Sequence, residues 1–149
     1  MNNVNPFYQL AKKFCSMIES TTTFKQENCK ELLLLLSNLY SEALTMPEIK
    51  ELNDIDVDVD RIIVAFDYAD AYWEIYNPFE CEEPVCGSLS DDFGDIYKDL
   101  KEGVLLYDKG HINDAIWSWK WSFRNHWSYH LVDALRVLNR CFATKTTKG

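Results

Sequence analysis

The sequence predicts an all-α protein, a single-domain antiparallel bundle of four to five helices, and three observations carry that reading. Apolar residues recur at spacings of three and four along most of the chain. Gly and Pro are scarce, 5 and 4 among 149 residues, and they fall mostly between the periodic stretches. A content of 47% apolar and 14% aromatic residues suffices for one sizeable core and argues against disorder or a turn-rich β-sandwich. The core is expected over residues 5–143 of a domain spanning 1–149.

Asn5 and Pro6 read as a cap and a first-turn proline, after which Phe7, Leu10, Ala11, Phe14 and Ile18 mark a first helix ending near Ser20. Thr23 and Gln26 fit a capping box for a second helix that runs to about Leu44, before Pro47. Its run of leucines over residues 32–36 exceeds what one face can hold, so this helix is expected at the centre. Residues 47–60 are an acidic linker in which, from Asp54 on, carboxylates alternate with apolar residues. A calcium loop fails there because Val59 and Ala65 stand where glycine and glutamate are required. A short strand lacks a partner, which leaves a linker whose last aspartates cap the next helix. Ile62, Ile63, Phe66, Ala69, Trp73 and Tyr76 predict that third helix.

A loop over 77–90, rich in Pro, Gly and Ser, ends at Ser90, a predicted cap for a fourth helix over 91–107 that buries Phe93, Ile96, Leu100, Val104 and Tyr107. The other side of that helix carries Asp91, Asp95, Asp99 and Glu102, an acidic ridge with Asp92 beside it. Lys109 and Gly110 stop it, and Asn113 caps the last helix.

The last helix, near residues 112–142, holds four of the five tryptophans. At about 100° per residue, Trp117, Trp121, Arg124, Ser128, Leu131 and Leu135 share a side expected to pack. Trp119, Phe123, His126, His130, Asp133 and Val137 share the opposite, amphipathic side, a candidate recognition surface. Residues 112–149 hold two acids against six bases, a net of +4 within a total of −9, so residues 1–111 carry −13. That balance disfavours nucleic acid and favours a basic protein partner. No apolar run reaches the roughly 20 residues of a membrane span, and five cysteines, an odd number mostly in helical patterns, point to reduced thiols and the cytoplasm. Cys81 and Cys86 alone stand in a loop where they could pair or bind metal.

Candidate chemistry concentrates in two places. DDFGD places Asp91, Asp92 and Asp95 where carboxylates hold Mg²⁺ against a phosphate, although their first-turn position also suits the helix dipole, and Asp95 and Asp99 are expected to pair with arginines of the last helix. His126 and His130 lie four apart with Asp133 beyond, a spacing that grips a metal but lacks the glutamate of HExxH. Burial of the imidazoles, with Asp133 or a carboxylate of the preceding helix accepting a ring proton, is the expectation. No nucleophile elbow or phosphate loop occurs, and no cofactor is expected.

The segments NPFE, PVCGSLSDDFGDIYKDLKEGVLLYDKG and AIWSWKWSFRNHWSYHLVDALRVLN resemble the family catalogued as domain of unknown function 5063, with its PF, SLxDDLxDIYxDL and WxWxxxFxxHWxxHxxxALRxL pattern. The resemblance covers most of residues 7–142. Asn77, Phe93 and Ser128 depart from it, where Asp, Leu and Gly are commoner. It implies small, mostly bacterial, helical proteins with no established activity, and marks Asp91, Asp92, Asp95, Tyr97, Asp99, Arg124, His126, Trp127, His130 and Arg136 as motif residues. Together with Asp133, all of these but Tyr97 form the candidate binding surface. The leading expectation is a non-enzymatic protein-binding module, for example an immunity-type inhibitor of a basic partner. The alternative is a Mg²⁺-dependent enzyme acting on a phosphorylated small molecule through the carboxylates of residues 91–99.

Overall fold

The computed structural model describes residues 4–147, with side chains to residue 144. Lys148, counted among the bases above, lies outside the described residues, as does the side chain of Lys145. The chain is predominantly helical, with two small sheets that the all-α expectation did not include. In order, α1 is Asn5–Ser20, β1 Thr23–Phe24, α2 Cys29–Ala43, β2 Ala65–Phe66, β3 Ala71–Glu74, β4 Val85–Ser88, α3 Leu89–Asp108, α4 Ile112–Ser122 and α5 Ser128–Thr147. A 3₁₀ turn, Gln26–Asn28, opens α2, and a π-helical turn, Phe123–Trp127, joins α4 to α5. Among the described residues, no helix is long and apolar enough to cross a membrane.

The central element is α3, not α2. It packs against α1, α4 and α5, and its Leu89, Phe93, Ile96 and Leu100 are completely buried. The leucine run of α2 resolves differently: Leu32, Leu35 and Leu36 enter the core while Leu34 stays 56% exposed. Ser88, not Ser90, caps α3, its Oγ accepting the Asp91 N–H at 3.2 Å. Ser90 instead donates to the Val64 carbonyl at 2.7 Å. Gly110, at φ 88°, ends α3 as expected. Its N–H reaches the Tyr107 carbonyl and that of His111 the Leu106 carbonyl, the paired bonds of a Schellman stop.

The expected third helix is extended chain. The segment from Ile62 to Tyr76 is dense in β-branched and aromatic residues, which suit a pleated, half-buried surface. Val64 and Phe66 point into the core and Ile63 and Ala65 out, the period of a strand. β2 pairs in parallel with β1, so the expected Thr23–Gln26 capping box is replaced by a strand and by Asn28, whose Oδ1 accepts the Lys25 N–H at 2.8 Å. β3 pairs antiparallel with β4, Tyr72 opposite Gly87, and a Cβ at Gly87 would collide with the Tyr72 ring.

Residues 44–64 form a strap without regular structure. Ile55, Val57 and Val59 pack against the core while Asp54, Asp56, Asp58 and Asp60 face outward. With no helix following, these aspartates cap nothing. The strap is fastened by Asp114 in the first turn of α4, whose two oxygens accept the N–H groups of Asn53 and Ile55 at 2.9 and 2.8 Å. The Asn53 bond foremost holds the Asp114 carboxyl below its usual range. Asn113, expected as a cap, lies inside α4 and donates to the Glu51 carbonyl.

The single continuous last helix gives way to α4, the π turn and α5, with a physical consequence. A π turn contains one residue more than an α turn, so the buried face shifts by roughly 100° in sequence phase. Before the turn the core takes Ala115, Ile116 and Trp119. After it the core takes Trp127, Leu131, Ala134 and Leu138. The faces assigned to one uninterrupted helix therefore do not hold: Trp117 and Trp121, expected to pack, are 42% and 54% exposed, and Trp119 is wholly buried.

The α3–α4 contact is close because Gly103 faces Trp119, whose Nε1 donates to the Leu100 carbonyl at 3.0 Å. A Cβ at Gly103 would lie no more than 2.5 Å from three indole atoms. Gly103→Ala is expected to cost about 1–3 kcal/mol through overpacking, read as a lowered urea midpoint. An unchanged midpoint would contradict this packing.

Candidate functional site

Spacings of three and four set Asp92, Asp95 and Asp99 of α3 on one helical face, turned toward the π turn and α5. Asp92 and Asp99 are among the few buried charged residues, 3% and 8% exposed. Each meets an imidazole. His126 in the π turn places Nδ1 2.6 Å from Asp99 Oδ2, and His130 in α5 places Nδ1 2.8 Å from Asp92 Oδ1. His130 Nε2 lies 3.1 Å from Asp95 Oδ2, while the other Asp95 oxygen takes Arg61 Nε at 3.1 Å. Tyr72 of β3 donates to the remaining Asp92 oxygen at 2.6 Å. The two imidazoles stand edge to face with centroids 4.8 Å apart.

Burial favours the neutral form of Asp92 and Asp99, and the imidazole facing each is the main force opposing it. For His130 burial acts against the charged form, but the carboxylates of Asp92, Asp95 and Asp133 outweigh it and raise its pKa. Arg136 borders the cluster, donating to the Trp73 carbonyl at 3.0 Å, with its guanidinium 5.6 Å from the Tyr72 ring centre.

Asp99 and His126 also form one end of a cleft of about 830 Å³ between the strap, α3 and α4. Asp54 and Asp56 line it from the strap, Glu102 from α3, and Trp117 and Trp121 from α4. The two indoles are stacked, 6.1 Å apart at 19°. Lys98, also in the wall, is held by Glu102 at 2.8 Å.

The model of a domain of unknown function, DUF5063, matches residues 1–144. The chain belongs to the DUF5063 family. Its fold is similar to the crystal structure of protein BF1032 from Bacteroides fragilis, with a TM-score of 0.68 at 20% identity over 95% of this chain and 96% of that one. At that identity the likeness speaks for the fold alone. Among curated proteins none matches.

The DUF5063 motif residues are thus brought together only in part. Asp92, Asp95, Asp99, His126 and His130 form one cluster, with Asp133 and Arg136 beside it. Asp91 turns away toward Arg61, at 3.5 Å. Arg124 of the π turn is bonded, with Lys120 of α4, to Glu48 of the strap at 3.0 and 2.7 Å, and Trp127 has no surface at all. The arginines expected to pair with Asp95 and Asp99 do not: the partners are imidazoles and Arg61. Of the three DDFGD carboxylates, each is already engaged, so Mg²⁺ shared with a phosphate there would have to displace Arg61 or His130. Cys81 and Cys86 are exposed and unpaired. Tyr97 donates to Glu19 at 2.6 Å, on another side of α3. Tyr72, Arg61 and Asp114 were missed by sequence. Tyr72 and Arg61 fell in or beside a segment read as helix, though its β-branched and aromatic density signalled strand.

Glu74, at the end of β3, has its pKa pushed up to about 7 from the ordinary 4.5 by burial and then by a hydrogen bond to Asp133. The folded state therefore binds the extra proton between those values. The stability this group contributes is complete below pH 4.5 and is lost as the pH rises through about 7. Glu74→Gln, which mimics the protonated carboxyl, is expected to be more stable than the natural chain at pH 8 by about 1 kcal/mol, allowing for the group's partial exposure. The two should converge near pH 4.5, as urea midpoints at both pH values will read.

Proposed function

We propose that this protein is a non-enzymatic binding module whose cleft receives an arginine- or lysine-bearing segment of a basic partner protein. The observation that carries the reading is the exposed Trp117–Trp121 pair lining one cleft with Asp54 and Asp56 of the strap. Indole faces attract guanidinium and ammonium groups at roughly 0.5–2 kcal/mol each, and tryptophans in a desolvated pocket are the commonest interface hot spots. Two large aromatics left half in water on the surface of a soluble fold are worth explaining in themselves. The total charge of −9 steers a basic partner toward the cleft from a distance.

Immunity-type inhibitors, which neutralise a basic partner by charge-steered occlusion, are the kind of protein this reading describes. Five unpaired thiols, two of them exposed, favour a reducing compartment such as the cytoplasm for this encounter.

The experiment is a titration of tryptophan fluorescence and heat with an arginine-rich peptide and with a neutral peptide of equal length. Binding of the basic peptide alone, weakening steeply with added salt, is expected. The double substitution Trp117→Ala and Trp121→Ala should lower affinity at least tenfold at fixed salt while leaving the melting temperature within a few degrees, because both rings stand at the surface. Undiminished binding in that variant would reduce the effect to bulk charge and overturn the reading, as would the absence of any binding at low salt.

A further inference from the structure

Each residue at the centre of the cluster between α3, the π turn and α5 has one donor atom held by a neighbour outside the trio. His126 keeps Nδ1 against Asp99, His130 keeps Nδ1 against Asp92, and Asp95 keeps Oδ1 against Arg61. That leaves the two Nε2 atoms and Asp95 Oδ2. One potential ligand atom from each of Asp95, His126 and His130 lies within 4.8 Å of the others. We propose that these three side chains bind one divalent transition-metal ion, Zn²⁺ or a first-row ion of similar ligand preference.

The arrangement is that of a metal site with its outer shell complete. Ligating imidazoles nearly always give their second nitrogen to a carboxylate or carbonyl, which fixes the ring and the tautomer. Here both do so, to carboxylates that are themselves buried, and Asp92 is further held by Tyr72. Ligand bonds of about 2.0–2.1 Å in a tetrahedron place neighbouring donor atoms roughly 3.4 Å apart. His130 Nε2 and Asp95 Oδ2, at 3.1 Å, already have that spacing, and His126, whose side chain is 43% exposed, is the ligand with freedom to close the third edge. Two imidazoles and one carboxylate select Zn²⁺, Fe²⁺, Co²⁺ or Ni²⁺ over Mg²⁺ or Ca²⁺, which prefer all-oxygen sets.

Charge points the same way. Asp92, Asp95, Asp99 and Asp133 meet in or beside the cluster, against the two guanidinium groups of Arg61 and Arg136. A divalent cation offsets this excess more fully than a single imidazolium does. Three protein ligands leave at least one position unfilled, and His126 lies in the wall of the cleft. This inference stands independently of the docking reading.

The test uses full-length protein carrying Cys81→Ser and Cys86→Ser, so that the exposed thiols contribute nothing, stripped with chelator and titrated with Co²⁺ and then Zn²⁺. Expected are one Co²⁺ per chain with visible d–d absorption, displacement by Zn²⁺, and a Zn²⁺-dependent rise in melting temperature. His130→Ala should abolish all three. His126→Ala, titrated at a temperature where circular dichroism shows it folded, should weaken binding at least a hundredfold. Asp99→Asn, which only orients His126, should weaken it about 10–100-fold. No binding of either ion, or binding unchanged in folded His126→Ala protein, would overturn the proposal and leave the cluster as an internal ion-pair network.

Discussion

Two carboxylates of the central helix, Asp92 and Asp99, are largely withdrawn from water, 3% and 8% exposed, and the placement of the C-terminal third of the chain follows from that. A buried charge left unpaired costs several kcal/mol, so α3 can occupy the centre only if something arrives to meet these groups. The residues that arrive are His126 and His130, one from the π turn and one from the first turns of α5. An uninterrupted α-helix would carry the buried stripe of α4, Ala115, Ile116 and Trp119, and that of α5 on phases roughly 100° apart. The π turn resolves the conflict by advancing the phase once. Leu131, Ala134 and Leu138 then reach the core while both histidines still face α3. π turns of this kind recur where a side chain must be aimed at a particular point.

This geometry explains which parts of the fold were legible from residue order. The first-turn proline and the end of α1 at Ser20, the glycine stop of α3 and the stripe of Phe93, Ile96 and Leu100 follow local rules of periodicity, and those rules held; the caps did not, since Asn5 lies inside α1 behind Val4, which makes no side-chain cap bond, and Ser88 replaces Ser90 at α3. The two-stranded sheets did not announce themselves, because β1 and β2 are two residues each and their pairing is set by tertiary contact, Phe24 lying against Phe66 and Phe93. The segment holding Trp73 and Tyr76 has apolar residues at helical spacing by coincidence. Its β-branched composition was the better guide. The π turn is the deeper case: no residue of FRNHW forbids an α-helix, and the extra residue answers to the offset between the buried stripes on its two sides.

The candidate site was visible as a composition before it was visible as an arrangement. Asp92, Asp95, Asp99, His126 and His130 were singled out by charge and spacing. Sequence supplied the pairing of the imidazoles with carboxylates of the preceding helix, but it also gave Asp95 and Asp99 to arginines of the last helix, and those pairs do not form. Length decides between them. A long, well-hydrated arginine reaches outward to Glu48 or over the Tyr72 ring, whereas a short imidazole fits the narrow seam between packed helices.

The strap of residues 44–64 makes one long excursion across the molecule without ladder or helix bonds of its own, and Asp114 is the main fastening along its middle. Segments with few internal bonds open first and reclose many times before the helices around them exchange a single amide. One wall of the cleft is therefore a rigid pair of helices and the other a tethered flap, pinned at its middle by the carboxylate at the foot of α4 and nearer its start by Lys120 and Arg124 on Glu48.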